Sequence, residues 1–135
     1  MTTMLNNTAA ETALEIRKQY GNKMEPLCIL KSMPNVLVHS FADVACRTGE
    51  DREAILSAFR ESQDAVSIYN PDRHTYFVVY NQRMPFETVR YALARELGHI
   101  VLGHDGTRPE DVRQQEAVIF ADALLSFQDS RPEAG

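Results

Sequence analysis

From Tyr91 to His104 the chain reads Tyr-Ala-Leu-Ala-Arg-Glu-Leu-Gly-His-Ile-Val-Leu-Gly-His, an order that leaves little choice of local structure. Leu93, Leu97, Ile100 and Val101 recur at helical spacing and make one broad apolar stripe. The pattern predicts a helix from about Phe86 to Leu102, stopped by Gly103. A second helix is expected over 109–127. Thr107 and Glu110 can form a capping box there, with Pro109 in the first turn. Glu116 sits on that helix among Val112, Ile119, Phe120 and Ala123. A carboxylate on an apolar stripe is costly unless it is paired or bound to a metal.

Upstream, the pattern is mixed. Thr8 and Glu11 suggest a capping box opening a helix through Leu14 and Ile16, with Gly21 closing it and residues 1–7 frayed. Pro26 to Met33 reads as an apolar linker or short helix ended by Pro34, and Val36 to Val38 as a short strand. Ser40 and Asp43 suggest another cap, with a short helix to Gly49. Residues 51–62 place Ala54, Ile55, Ala58 and Phe59 at helical spacing. The period then drops to two. Ala65–Tyr69 and Thr75–Tyr80, separated by Asn70-Pro71-Asp72-Arg73, read as a β-hairpin. Tyr69, Tyr76, Phe77 and Tyr80 are read as core and cross-strand packing. The expected fold is α+β, a small antiparallel or mixed sheet packed with several helices. One domain spans 1–135, with an ordered core of about 8–127 and a disordered tail from 128.

Composition narrows the function classes. The 135 residues are 44% hydrophobic, enough to bury a core without a staple. A net charge of −5 argues against direct binding to nucleic acid or to an anionic membrane. Cys28 and Cys46 form no CxxC pair and are read as buried or partly buried thiols. The N-terminus lacks the order of a signal peptide, and no apolar run approaches the ~20 residues of a membrane span. The expected location is the cytoplasm. His39 and His74 are assigned structural roles, and Arg90 is expected to solvate the flank of its helix.

The chemistry sits at positions 95, 96 and 99. Two histidines at i and i+4 on a helix share one face and can chelate one Zn²⁺. A glutamate after the first of them can take a proton from metal-bound water. That is the His-Glu-x-x-His signature. Here Glu96 stands at the base position and His99 at the second ligand position, but Arg95 occupies the first. An arginine offers only donors and repels a cation, so it cannot ligate one. Its guanidinium is expected to stand in for the metal by pairing with Glu116 or Glu96. His104 lies about 140° round the helix from His99. It is read as an end-of-helix histidine, and becomes a further ligand only if Gly103 swings it inward.

These residues carry a resemblance. YALARELGHIVLGH followed by QEAVIFADALL resembles the ImmA/IrrE family of zinc metallopeptidases, whose wording is close to R-x-T-L-A-H-E-L-G-H-x-x-L-G-H and then E-A-x-x-F-A-x-x-L-L. Arg90, Leu93, Ala94, Glu96, Leu97, Gly98, His99, Leu102, Gly103 and His104 match, as do Glu116, Ala117, Phe120, Ala121, Leu124 and Leu125. The resemblance covers about residues 64–127. It implies a zincin-like domain in which His99 and Glu116 are zinc ligands and Glu96 is the catalytic acid/base. It also implies an intracellular protein, often from a mobile element, that relieves repression by cleaving a helix-turn-helix repressor.

Three functions are left open. One is a domain with a degenerate zinc site, weak or inactive as a peptidase, that acts by binding a protein partner such as a helix-turn-helix repressor. Another is an active zinc endopeptidase using His99, Glu116 and an unusual further ligand such as His104. The last is a non-enzymatic structural or antitoxin-like module. Arg95 leaves both zinc and activity in doubt.

Overall fold

A three-stranded mixed sheet and five helices make up the described part of the chain. The structure is a computed structural model and describes residues 2–21, 24–49, 64–103 and 109–129. The elements are α1 (Thr2–Tyr20), α2 (Pro26–Ser32), β1 (Val36–Ser40), α3 (Phe41–Thr48), β2 (Ala65–Asn70), β3 (Thr75–Tyr80), α4 (Phe86–Val101) and α5 (Glu110–Asp129). The sequence-predicted helix over 51–62 lies outside the described residues, as do His104, Thr107 and the tail from residue 130.

β3 is the central strand. It pairs antiparallel with β2, Ala65 opposite Tyr80, and parallel with β1, Val36 opposite Tyr76. The hairpin forms where its β-branched and aromatic run predicts. Asn70 Oδ1 accepts from the Asp72 amide at 3.0 Å, a side-chain turn that reverses the chain. Tyr69 and Tyr76 face each other across the strands with ring centroids 4.8 Å apart. One sheet face carries Val36, Ala65 and Val78, all buried with Leu93, Leu97 and Phe120 in the main core. The other face carries Val79, buried against Phe41 of α3. α5 packs against both α4 and α1.

α3 is capped as its sequence predicts. The Ser40 hydroxyl accepts from the Asp43 amide at 3.0 Å, and Gly49 closes the helix in a left-handed conformation. His39 Nδ1 lies 2.6 Å from Asp43 Oδ2, and that hydrogen bond holds the Asp43 carboxyl below its ordinary value. Both observations fit a structural role for His39.

Four expectations are corrected. α1 starts at Thr2 rather than Thr8. Nothing in the stretch from Thr2 to Asn7 breaks a helix, so Thr8 lies inside one and forms no cap. α5 starts at Glu110 and runs to Asp129, with the Pro109 carbonyl accepting from the Arg113 amide. Cys28 and Cys46 are exposed rather than buried. α2 turns Pro26, Ile29 and Leu30 inward, which leaves Cys28 outside. Arg90 does not solvate the helix flank. Its side chain is 9% exposed and its Nε donates to Glu25 Oε2 at 3.1 Å. No helix among the described residues is long and apolar enough to cross a membrane.

Candidate functional site

α4 and α5 pack together, and one of their contacts is made at a glycine. A Cβ built on Gly98 would lie 2.9 Å from Phe120 Cδ1 and 3.1 Å from Phe120 Cβ and Cγ. Only the absence of a side chain at 98 lets the ring seat there. His99 follows Gly98, and Glu116 precedes Phe120 by one turn, so the crossing brings the segments that carry them together. Further along, the Tyr91 hydroxyl donates to Asp122 Oδ1 at 3.2 Å, a second tie between the two helices.

Two carboxylates are buried here. Glu116 is 3% exposed and Glu96 6%, a cost that helix propensity alone cannot explain. Glu96 points to the sheet, and Ser67 Oγ donates to its Oε1 at 2.6 Å. Burial pushes the Glu96 carboxyl above the ordinary value of 4.5, while the Ser67 hydrogen bond and the Arg95 charge pull it partly back. Burial and the neighbouring Asp122 likewise push the Tyr91 hydroxyl up, again against the pull of Arg95.

Arg95 is half-buried, and its Nε is shielded from solvent with no hydrogen-bond partner. The ion pairs among the described residues do not include it. The expected guanidinium bridge to Glu116 or Glu96 is therefore not formed. Glu96 uses its oxygen on Ser67 instead, and Arg95 acts on it only through its charge. Among the described residues no three His, Cys, Asp or Glu side chains group in a way that could hold a metal ion. Those residues do not fit zinc as a three-ligand seat. His104 lies outside them.

Sequence reasoning missed Ser67. The signal was present in the alternation of β2, where Ala65, Ser67 and Tyr69 share the face turned to α4. It also missed the Tyr91–Asp122 tie, which depends on how two helices cross.

Glu96→Gln tests the burial argument. Glutamine keeps an oxygen for Ser67 but cannot ionise. A carboxyl whose folded pKa lies above its unfolded value opposes folding as pH rises from the unfolded value to the folded one, and by a constant amount beyond it. The variant should therefore be more stable at pH 7 by on the order of 1 kcal/mol. The gain should fade as the pH drops below the ordinary carboxylate value, where wild type is neutral too. Thermal denaturation across that range measures it, and a variant less stable than wild type at pH 7 would contradict the burial cost.

A search of curated proteins gives no match. A family model described as peptidase M78, IrrE N-terminal-like domain, matches residues 37–125, from β1 through most of α5. That family is generally zinc-associated. The match takes in Glu96, His99 and Glu116 and spans well over half the sequence, and the chain belongs to the IrrE N-terminal-like domain family.

Proposed function

We propose that this chain is a degenerate member of its family, with a zinc site reduced by Arg95, weak or inactive as a peptidase, and acting in the cytoplasm by binding a protein partner such as a helix-turn-helix repressor. The observation that carries the reading is Arg95 itself. In our reading a permanent cation stands at the first-ligand position, its Nε buried and its charge felt by Glu96. Arginine cannot ligate a cation. His99 and Glu116 remain as two of the three ligands a catalytic zinc needs. The acidic balance of −5 suits a basic DNA-binding protein better than DNA.

Zinc content tests this. Protein purified without chelator should carry zinc well below one equivalent, little changed by His99→Ala. One equivalent of zinc that is lost on His99→Ala would overturn the reading in favour of an active zinc endopeptidase using His99, Glu116 and His104. One observation favours that second reading: a carboxyl with raised proton affinity, as Glu96 has, suits a general base. An antitoxin-like module would instead form a stable complex whose strength is unaffected by substitution of both Glu96 and His99.

A further inference from the structure

A cavity of about 650 Å³ lies beside α4, away from the crossing with α5. Phe86, Val89, Arg90 and Leu93 form its α4 wall, and Glu25 with α2, the last residue of β3 and the chain after it supply the rest. That wall is centred roughly 150° round the helix from Arg95 and His99, so the cavity is separate from the candidate metal site.

Its chemistry is specific. Leu27, Met84, Val89 and Leu93 make it apolar, within the size range of small-molecule sites. Two aromatic rings, Tyr80 and Phe86, also line it, and Phe86 is 68% exposed, so its ring is accessible from solvent. The polar end holds the Glu25–Arg90 pair. Its two members differ in access: the Glu25 side chain is 40% exposed and that of Arg90 is 9%. An incoming ligand therefore meets two aromatic rings and the Glu25 carboxylate, the more accessible member of the pair, with the Arg90 side chain largely buried against it. Aromatic faces and a carboxylate together attract an organic cation.

We propose that this cavity is a binding site for a small apolar ammonium compound, its hydrocarbon body against Leu27, Met84 and Val89 and its charged head near Glu25, Tyr80 and Phe86. The site needs no zinc and does not depend on whether the domain cleaves peptides. It gives the helix that carries Glu96 and His99 a second ligand contact.

The chain supplies its own reporter. Cys28 lines the cavity and Cys46 does not, and both thiols are free and exposed. The full chain is alkylated with iodoacetamide in the presence of 1-naphthylmethylamine, 1-naphthalenemethanol or 1-naphthoate, and both rates are followed by mass spectrometry. At millimolar amine, Cys28 should react about tenfold more slowly while Cys46 keeps its rate, as expected for occupancy of one concave site. The alcohol should protect less and the naphthoate least. Phe86→Leu, at an exposed position, should narrow the gap between amine and alcohol and leave Cys46 unaffected. Equal slowing of both thiols, no protection by any probe, or naphthoate protecting as well as the amine would each overturn the proposal.

Discussion

Arg95→His should raise zinc affinity about a hundredfold or more. Histidine at 95 and at 99 would stand one turn apart on α4, the spacing that lets two imidazoles share a metal. Glu116, buried on α5 at the same crossing, is the remaining ligand in our assignment. Four-ligand structural zinc sites bind with roughly 10–16 kcal/mol, so one ligand is worth about 3 kcal/mol, or about two orders of magnitude in affinity. Removing the guanidinium also removes a positive charge that repels the ion. Arg95→Gln separates the two effects, because it deletes the charge and adds no ligand. It should recover about tenfold or less, which corresponds to relieved repulsion of at most about 1.4 kcal/mol. Chelator competition with zinc, read against the two variants, measures the difference. If the histidine and glutamine variants bind zinc alike, residue 95 is not at a ligand position and the degenerate-site reading fails.

Residue types on α4 were legible because a helix gathers its chemistry locally. Glu96 and His99 sit three residues apart on one element, and the pattern around them names the element. The hairpin was legible for the same reason: a period of two, bounded by Asn70 and Pro71, defines both strands and the turn between them. Partners drawn from elsewhere were not. Arg90 reads as a surface residue until Glu25, 65 positions earlier, is folded against it. Arg95 reads as the natural partner of a carboxylate, yet Ser67, 29 positions before Glu96, takes that oxygen. The parallel pairing of β1 with β3 is equally non-local, since nothing in Val36–Ser40 says which strand it will meet. Helix ends fell between these extremes. The Ser40 cap and the Gly103 stop are local signals and appear in place. The Thr8 signal is as good on paper, but no breaker stands before it and the helix runs through.

Gly98→Ala should destabilise the domain, although alanine is the better helix former. In an exposed helix the change would be worth about 1 kcal/mol in favour of alanine. Here the new methyl would stand 2.9 Å from Phe120 Cδ1, closer than real Cβ atoms come to carbon. Phe120 is fully buried and Ala117, Ala121 and Leu124 beside it are buried too, so the ring has nowhere to retreat. Overpacking of this kind costs about 1–3 kcal/mol. Set against the propensity gain, the net loss for alanine should be up to about 2 kcal/mol, and for Gly98→Leu larger, since the extra carbons can be placed only by moving α4 off α5. Urea denaturation gives both values. Phe120→Leu trims the ring that the methyl meets. Combined with Gly98→Ala it should cost less than the two single changes added together, a coupling expected of residues in direct contact. Spreading the helices would also part the segment carrying Glu96 and His99 from the one carrying Glu116. In an Arg95→His background, Gly98→Ala should therefore lose zinc affinity that Arg95→His alone gains. A stabilised Gly98→Ala protein would mean that the two helices do not meet at this glycine, and the site built across them would fall with that contact.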